Sequence, residues 1–66
     1  MRVVLNGEEQ VIRDDITVAD LLHDLHITLR YGAVAVNRRV VRKKDHQATQ
    51  LRAGDRIEIV RPVGGG

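Results

Sequence analysis

Arg56-Ile57-Glu58-Ile59-Val60, running directly into Arg61-Pro62-Val63-Gly64-Gly65-Gly66, is the stretch on which the reading of this 66-residue chain turns. Its first half alternates exposed-type and β-branched residues, the period of a strand with one buried and one solvent face. Its second half abandons side chains. Proline has no amide hydrogen for a sheet ladder, and successive glycines lose more backbone entropy on ordering than other residues. The reading is therefore a folded domain over residues 1–60 and a flexible tail over 61–66 that ends in a carboxylate. Without Cβ atoms, Gly64 to Gly66 fit a channel too narrow for other residues. A frayed terminus or a linker has the same composition, so the residues upstream must separate these readings.

Working outward from that strand, Arg52-Ala53-Gly54-Asp55 is a turn, since glycine accepts positive φ. Further back, Ala33-Val34-Ala35-Val36 is a compact apolar strand ending at Asn37, with Val40-Val41 as a very short partner. The polar block 42–50 has neither a helical stripe nor alternation and reads as irregular structure with at most one turn. Thr17-Val18-Ala19-Asp20 is a helix start, with Thr17 as N-cap and an acidic residue at the third helical position. Val18, Leu21, Leu22 and Leu25 then recur at three- and four-residue spacing, which makes one helix face apolar. At the beginning, Val3-Val4-Leu5 meets Asn6-Gly7, a strong hairpin signal, and Gln10-Val11-Ile12-Arg13 returns. The element order is β-β-α-β-β-β, an α+β fold with one main helix on one face of a mixed sheet of four or five strands. The expected core is Val3, Leu5, Val11, Val18, Leu21, Leu22, Leu25, Val34, Val36, Ile57 and Ile59. Arg56, Glu58 and Val60 alternate against Ile57 and Ile59 and belong to the opposite sheet face, where they are candidates for partner docking.

Composition narrows the function. A chain this short supports one small core, worth about 3–5 kcal/mol of net stability, and leaves little room for a buried active site. There is no cysteine, Phe or Trp and one tyrosine, Tyr31. A disulfide, a thiolate metal site and a cysteine nucleophile are therefore excluded. No segment has the apolar length of a signal peptide or a membrane span, and the chain reads as soluble and cytoplasmic. The net charge of +2 is modest, because acidic and basic residues are interspersed. No P-loop, dinucleotide fingerprint or nucleophile with an evident base is present, so the chain reads as a carrier or substrate, not an enzyme.

Three constellations compete with the tail. His23 and His26 are three apart near Asp20 and Asp24, but two histidines without a third fixed ligand make a weak metal site, and no metal is expected. His46 stands apart in the irregular block. Arg38, Arg39, Arg42, Lys43 and Lys44 form one dense basic cluster; lacking interleaved aromatics, it reads as a solvated loop or docking patch, with RNA binding as the alternative. Asp14-Asp15, in the loop from strand to helix, read as helix-entry residues, not as a catalytic pair.

Taken together, the Asn6-Gly7 hairpin, the helix from Thr17-Val18 through Leu21-Leu22, the strand 33–37, the Gly54-Asp55 turn, the strand 57–60 and the ending Val63-Gly64-Gly65-Gly66 resemble the ThiS family. These are the ubiquitin-like sulfur carriers of thiamine biosynthesis, and the resemblance covers essentially the whole chain. It implies a β-grasp fold with no bound cofactor. It also implies a chemistry in which a ThiF-like adenylating enzyme uses ATP to activate the terminal carboxylate, and sulfur then replaces the adenylate. The sulfur comes from a donor such as a cysteine desulfurase, and the thiocarboxylate delivers it to a ThiG-like thiazole synthase. On this resemblance Gly66 is the modified residue, with Gly65 and Gly64 in tail recognition. Pro62 departs from the pattern by stiffening the tail root and limiting its addition to a partner's sheet. Related carriers serving molybdopterin or cysteine synthesis, or ubiquitin-like conjugation to lysines, share the same features.

Overall fold

The computed structural model describes residues 1–61; of the tail read over 61–66, all but Arg61, and with it Gly64, Gly65 and Gly66, lies outside the described residues. The elements follow the expected order: β1 (Arg2–Leu5), β2 (Glu8–Val11), α1 (Val18–Asp24), β3 (Ala33–Val36), β4 (Arg39–Val41), a 3-10 turn (Lys43–Asp45) and β5 (Arg56–Val60). They build a five-stranded sheet in the order β2-β1-β5-β3-β4. β5, last in sequence, is central in space, parallel to β1 and antiparallel to β3. This is the mixed β-grasp sheet with one helix.

α1 begins where capping chemistry allows. The Thr17 hydroxyl accepts from the Asp20 amide at 3.2 Å, and the Asp20 carboxylate accepts from the Thr17 amide at 3.0 Å, a reciprocal capping box. The remaining first-turn donors are also satisfied. Val18 N donates to Thr49 O, Ala19 N to His46 O and Leu21 N to Thr17 O, each at 3.0 Å. The block 42–50, irregular in sequence, thus covers the helix N-terminus and meets the need of its orphan amides.

The core joins the two layers: Val18, Leu21 and Leu22 of α1 meet Val3, Val34, Ile57 and Ile59 of the sheet. Ile16, Leu29 and Leu51, all in connections, are buried with them, and His46 is 8 % exposed. Leu5 and Val36 pack against this cluster half-buried. Two expected core residues are excluded. Val11 pairs with Arg2 on the hairpin, so it shares the solvent face and is 76 % exposed. Leu25 comes after the last helical residue, as the C-cap, and is 38 % exposed. Asp14 and Asp15 lie in the connection that enters the helix, ahead of the Thr17 cap. Asp14 takes the Met1 amino group at 2.8 Å, and Asp15 adopts a left-handed conformation.

Leu22 lies where helix and sheet meet. Leu22→Ala is expected to cost about 2–5 kcal/mol, a large share of the roughly 3–5 kcal/mol available to a domain of this length. A thermal melt superimposable on that of the parent would reject this placement of the helix.

Candidate functional site

The site is built around β5, because its end is where the chain leaves the sheet. Two asparagines hold this strand, one from each side. Both open two-residue hairpin turns with left-handed backbone, Asn6-Gly7 between β1 and β2 and Asn37-Arg38 between β3 and β4. β1 runs beside β5 only for the pairs Val4–Arg56 and Leu5–Ile57. As β1 turns away, Asn6 takes over: its amide donates to Ile57 O and its Oδ1 accepts from Ile59 N, both at 2.8 Å. On the other side Asn37 Oδ1 accepts from Arg56 N at 2.9 Å, and its Nδ2 donates to Asp55 Oδ1 at 3.0 Å. In sequence Asn6-Gly7 signals a turn; its second task, completing the β5 ladder, requires the tertiary fold. Asn6→Gly keeps the backbone freedom and removes the acceptor, so it isolates that bond. A loss of about 1–3 kcal/mol in urea unfolding and faster exchange of the Ile59 amide are expected; unchanged stability and exchange would show the bond to be idle.

The alternation of β5 places Ile57 and Ile59 in the core, with Arg56, Glu58 and Val60 on the open face, as its period requires. Cross-strand pairing joins Glu58 to Ala35 and Val60 to Ala33, and Ala35 pairs in turn with Val40. The open face therefore carries an apolar area around the exit of the chain, with Val60 62 % and Val40 70 % exposed. Tyr31, the one aromatic residue, is exposed two positions before Ala33. Sequence reading passed over Val40 as a surface residue; only the strand pairing brings it to the face that carries Glu58 and Val60.

Gly32 touches the exit itself. A Cβ there would overlap the Val60 carbonyl oxygen, with the Val60 carbonyl carbon at 3.2 Å and Arg61 Cα at 3.3 Å. Its φ of +120° is also one that L side chains rarely adopt. This glycine lets the start of β3 lie flush against the tail root.

The competing constellations come apart in the fold. The Arg13 guanidinium binds Asp24 through two contacts of 2.7 and 3.0 Å. That hydrogen bond holds the Asp24 carboxyl below its usual range and raises the Arg13 value. Asp20 serves the cap, and among the described residues no three His, Cys, Asp or Glu side chains converge on a metal site. The basic run proves to be two groups. Arg38 in the turn and Arg39 at the start of β4 lie toward Arg56, whereas Arg42 and Lys43 lie beyond the other end of β4. No helix among the described residues is long and apolar enough to cross a membrane.

A central last strand, one helix across the sheet and an exposed opposite face define a ubiquitin-like protein of the β-grasp class. The family model described as the ThiS family matches residues 2–66, and the chain belongs to that family. It is similar to the crystal structure of the thiamine biosynthesis protein ThiS from Geobacter metallireducens, with 28 % identity, a TM-score of 0.85 and the whole of both chains covered. The solution structure of a thiamine biosynthesis protein from the same organism gives the same identity and score over all of this chain and 88 % of that one. A curated relative, a thiazole synthase from Paramagnetospirillum magneticum, is 38 % identical over 66 residues. This chain spans about a fifth of that relative's length, 20 %.

Proposed function

We propose that the chain is a sulfur carrier for thiamine biosynthesis, with the Gly66 carboxylate as the group that carries sulfur. The observation that carries this reading is the ThiS family match over residues 2–66, which runs through the terminal glycines. A carboxylate resists attack because its charge is delocalised and oxide is a poor leaving group. Reaction with ATP overcomes both obstacles: the carboxylate oxygen attacks the α-phosphorus, pyrophosphate departs, and a mixed anhydride with AMP forms. A sulfide-level donor then displaces AMP at the carbonyl carbon and leaves a thiocarboxylate. The chain supplies the acyl group and the folded body that delivers it, and an adenylating enzyme of the ThiF type supplies the ATP site. Gly64 and Gly65 provide the narrow approach; where the donor is a cysteine desulfurase, its persulfide displaces AMP to give an acyl disulfide, and a thiol reductant cleaves the S–S bond to release the thiocarboxylate.

A ThiG-like thiazole synthase is the proposed recipient. The relative with that name contains a segment similar to all 66 residues of this chain within a protein about five times as long, and that join supports the pairing. The open face around Arg56, Glu58 and Val60 is the proposed docking surface, since it flanks the tail root and is exposed. Reversing charge at Arg56 and Glu58 together is expected to lower adenylation at limiting carrier by roughly tenfold, chiefly through slower association. Unchanged turnover would exclude this face.

The reading is tested by intact mass after incubation with a ThiF-like enzyme, ATP and a sulfur source. The expected gain is the mass difference between sulfur and oxygen. A protein that acquires neither adenylate nor sulfur from a verified active enzyme is not a carrier for that enzyme.

A further inference from the structure

The start of β3, the end of β4 and the 3-10 turn enclose a small open pocket of about 140 Å³. Arg30, Arg42, Lys43 and His46 line it, and no acidic side chain does. Among the described residues none of Arg30, Arg42 and Lys43 is in an ion pair. His46 is buried against this wall, with Nε2–H donating to Val41 O at 3.3 Å. Three cations around one cavity repel each other, so the arrangement favours an anion between them.

The place of the pocket says which anion. Gly32 also lines it, and Gly32 is the residue pressed against Val60 and Arg61. The pocket therefore adjoins the root of the tail. From Arg61, the five residues to Gly66 extend at most about 16–18 Å. A tail threaded straight into an enzyme holds its carboxyl, and the nucleotide reacting with it, that far away. A carboxylate on the enzyme surface around the tail root is within reach instead.

We propose that this pocket is an oxyanion subsite that takes an acidic side chain of the activating enzyme and so fixes the carrier at the mouth of that enzyme's channel. The proposal rests on the carrier reading above. Arg30, Arg42 and Lys43 supply the charge, and Gly32 couples the pocket to the tail root. Neutralising two of the three cations removes charge-assisted contacts at the interface and leaves the reacting carboxyl as it was.

The test compares the parent with Arg42→Ala/Lys43→Ala, and with Arg42→Gln/Lys43→Gln should the first melt differently. Arg52→Ala, in the turn at the opposite end of β5, is the charge control. Adenylation is expected to show a KM for carrier raised about tenfold in the double variant, with kcat and the KM for ATP unchanged. In the carrier alone, sodium acetate at constant ionic strength should shift the Gly32, Ala33, Lys43 and His46 amide resonances saturably in the parent and not in the variant. An unchanged KM for a folded variant overturns the proposal, as does an equal change in Arg52→Ala. An effect confined to the KM for ATP assigns the pocket to nucleotide phosphate and overturns it too. A parent that no verified activating enzyme adenylates defeats the carrier reading; the acetate titration still decides the subsite, and no saturable shift overturns it.

Discussion

Removing Gly66, or adding one residue after it, is expected to abolish adenylation while leaving the melting temperature of the protein unchanged. The two halves of this result have separate causes. Activation requires a free carboxylate at a set distance from the body; deletion draws the reacting group back by about 3.3–3.6 Å, and extension converts the Gly66 carboxylate into an amide. Displacements of about 1 Å are enough to cost a reaction about a hundredfold, and this one is larger. Stability is untouched because glycine brings no side chain to the core and its burial removes almost no apolar area from water. Pyrophosphate exchange at saturating ATP measures the first half and a thermal melt the second. Exchange by the deletion variant within about tenfold of the parent would remove Gly66 from the proposed role.

Gly32→Ala is expected to act through the fold and the tail together. The new methyl would overlap the Val60 carbonyl oxygen, and the backbone would leave its φ of +120°. Left-handed or otherwise sparse conformations cost about 1–3 kcal/mol for an L residue, and parting β3 from the end of β5 adds to that. A loss of about 3 kcal/mol lowers the melting temperature of a domain this size by roughly 12 °C or more. In the fraction that stays folded, the tail root is displaced, so the KM for carrier should rise as well. A variant that melts within about 3 °C of the parent would mean that the strands separate here at little cost.

These expectations draw on different parts of the chain's information. The β5 period was legible from five residues, because alternation of Ile57 and Ile59 with Arg56, Glu58 and Val60 has one solution on a sheet with one covered face. The helix start was equally local: Thr17 and Asp20 complete their capping box within four residues. Val11 shows the limit of such reading. Its β-branched side chain suits a strand, but the hairpin register pairs it with Arg2 and turns it to solvent. Leu25 continues the apolar spacing of α1, yet the helix ends before it.

The residues missed most completely sit in connections. Ile16, Leu29 and Leu51 have no periodic neighbours, and His46 lies in a polar block, but all four are buried. A small domain without Phe or Trp draws its loops into the core to gain apolar area, and no local pattern records that need.

The sequence by itself determined the element order, the strand over 56–60, the capped helix and the glycine ending, and through these the family. Each depends on contacts between residues close in the chain or on the chemistry of single residue types. Tertiary structure alone decided that Asn6 and Asn37 grip β5 from both sides, that Gly32 meets the tail root, and that the basic run divides, leaving Arg42 and Lys43 to share a pocket with Arg30 and His46. Those groupings depend on strand order and register, which bring together residues up to 53 positions apart. Their cause is the burial of one sheet face by α1, a property of the whole chain that no single stretch of it contains.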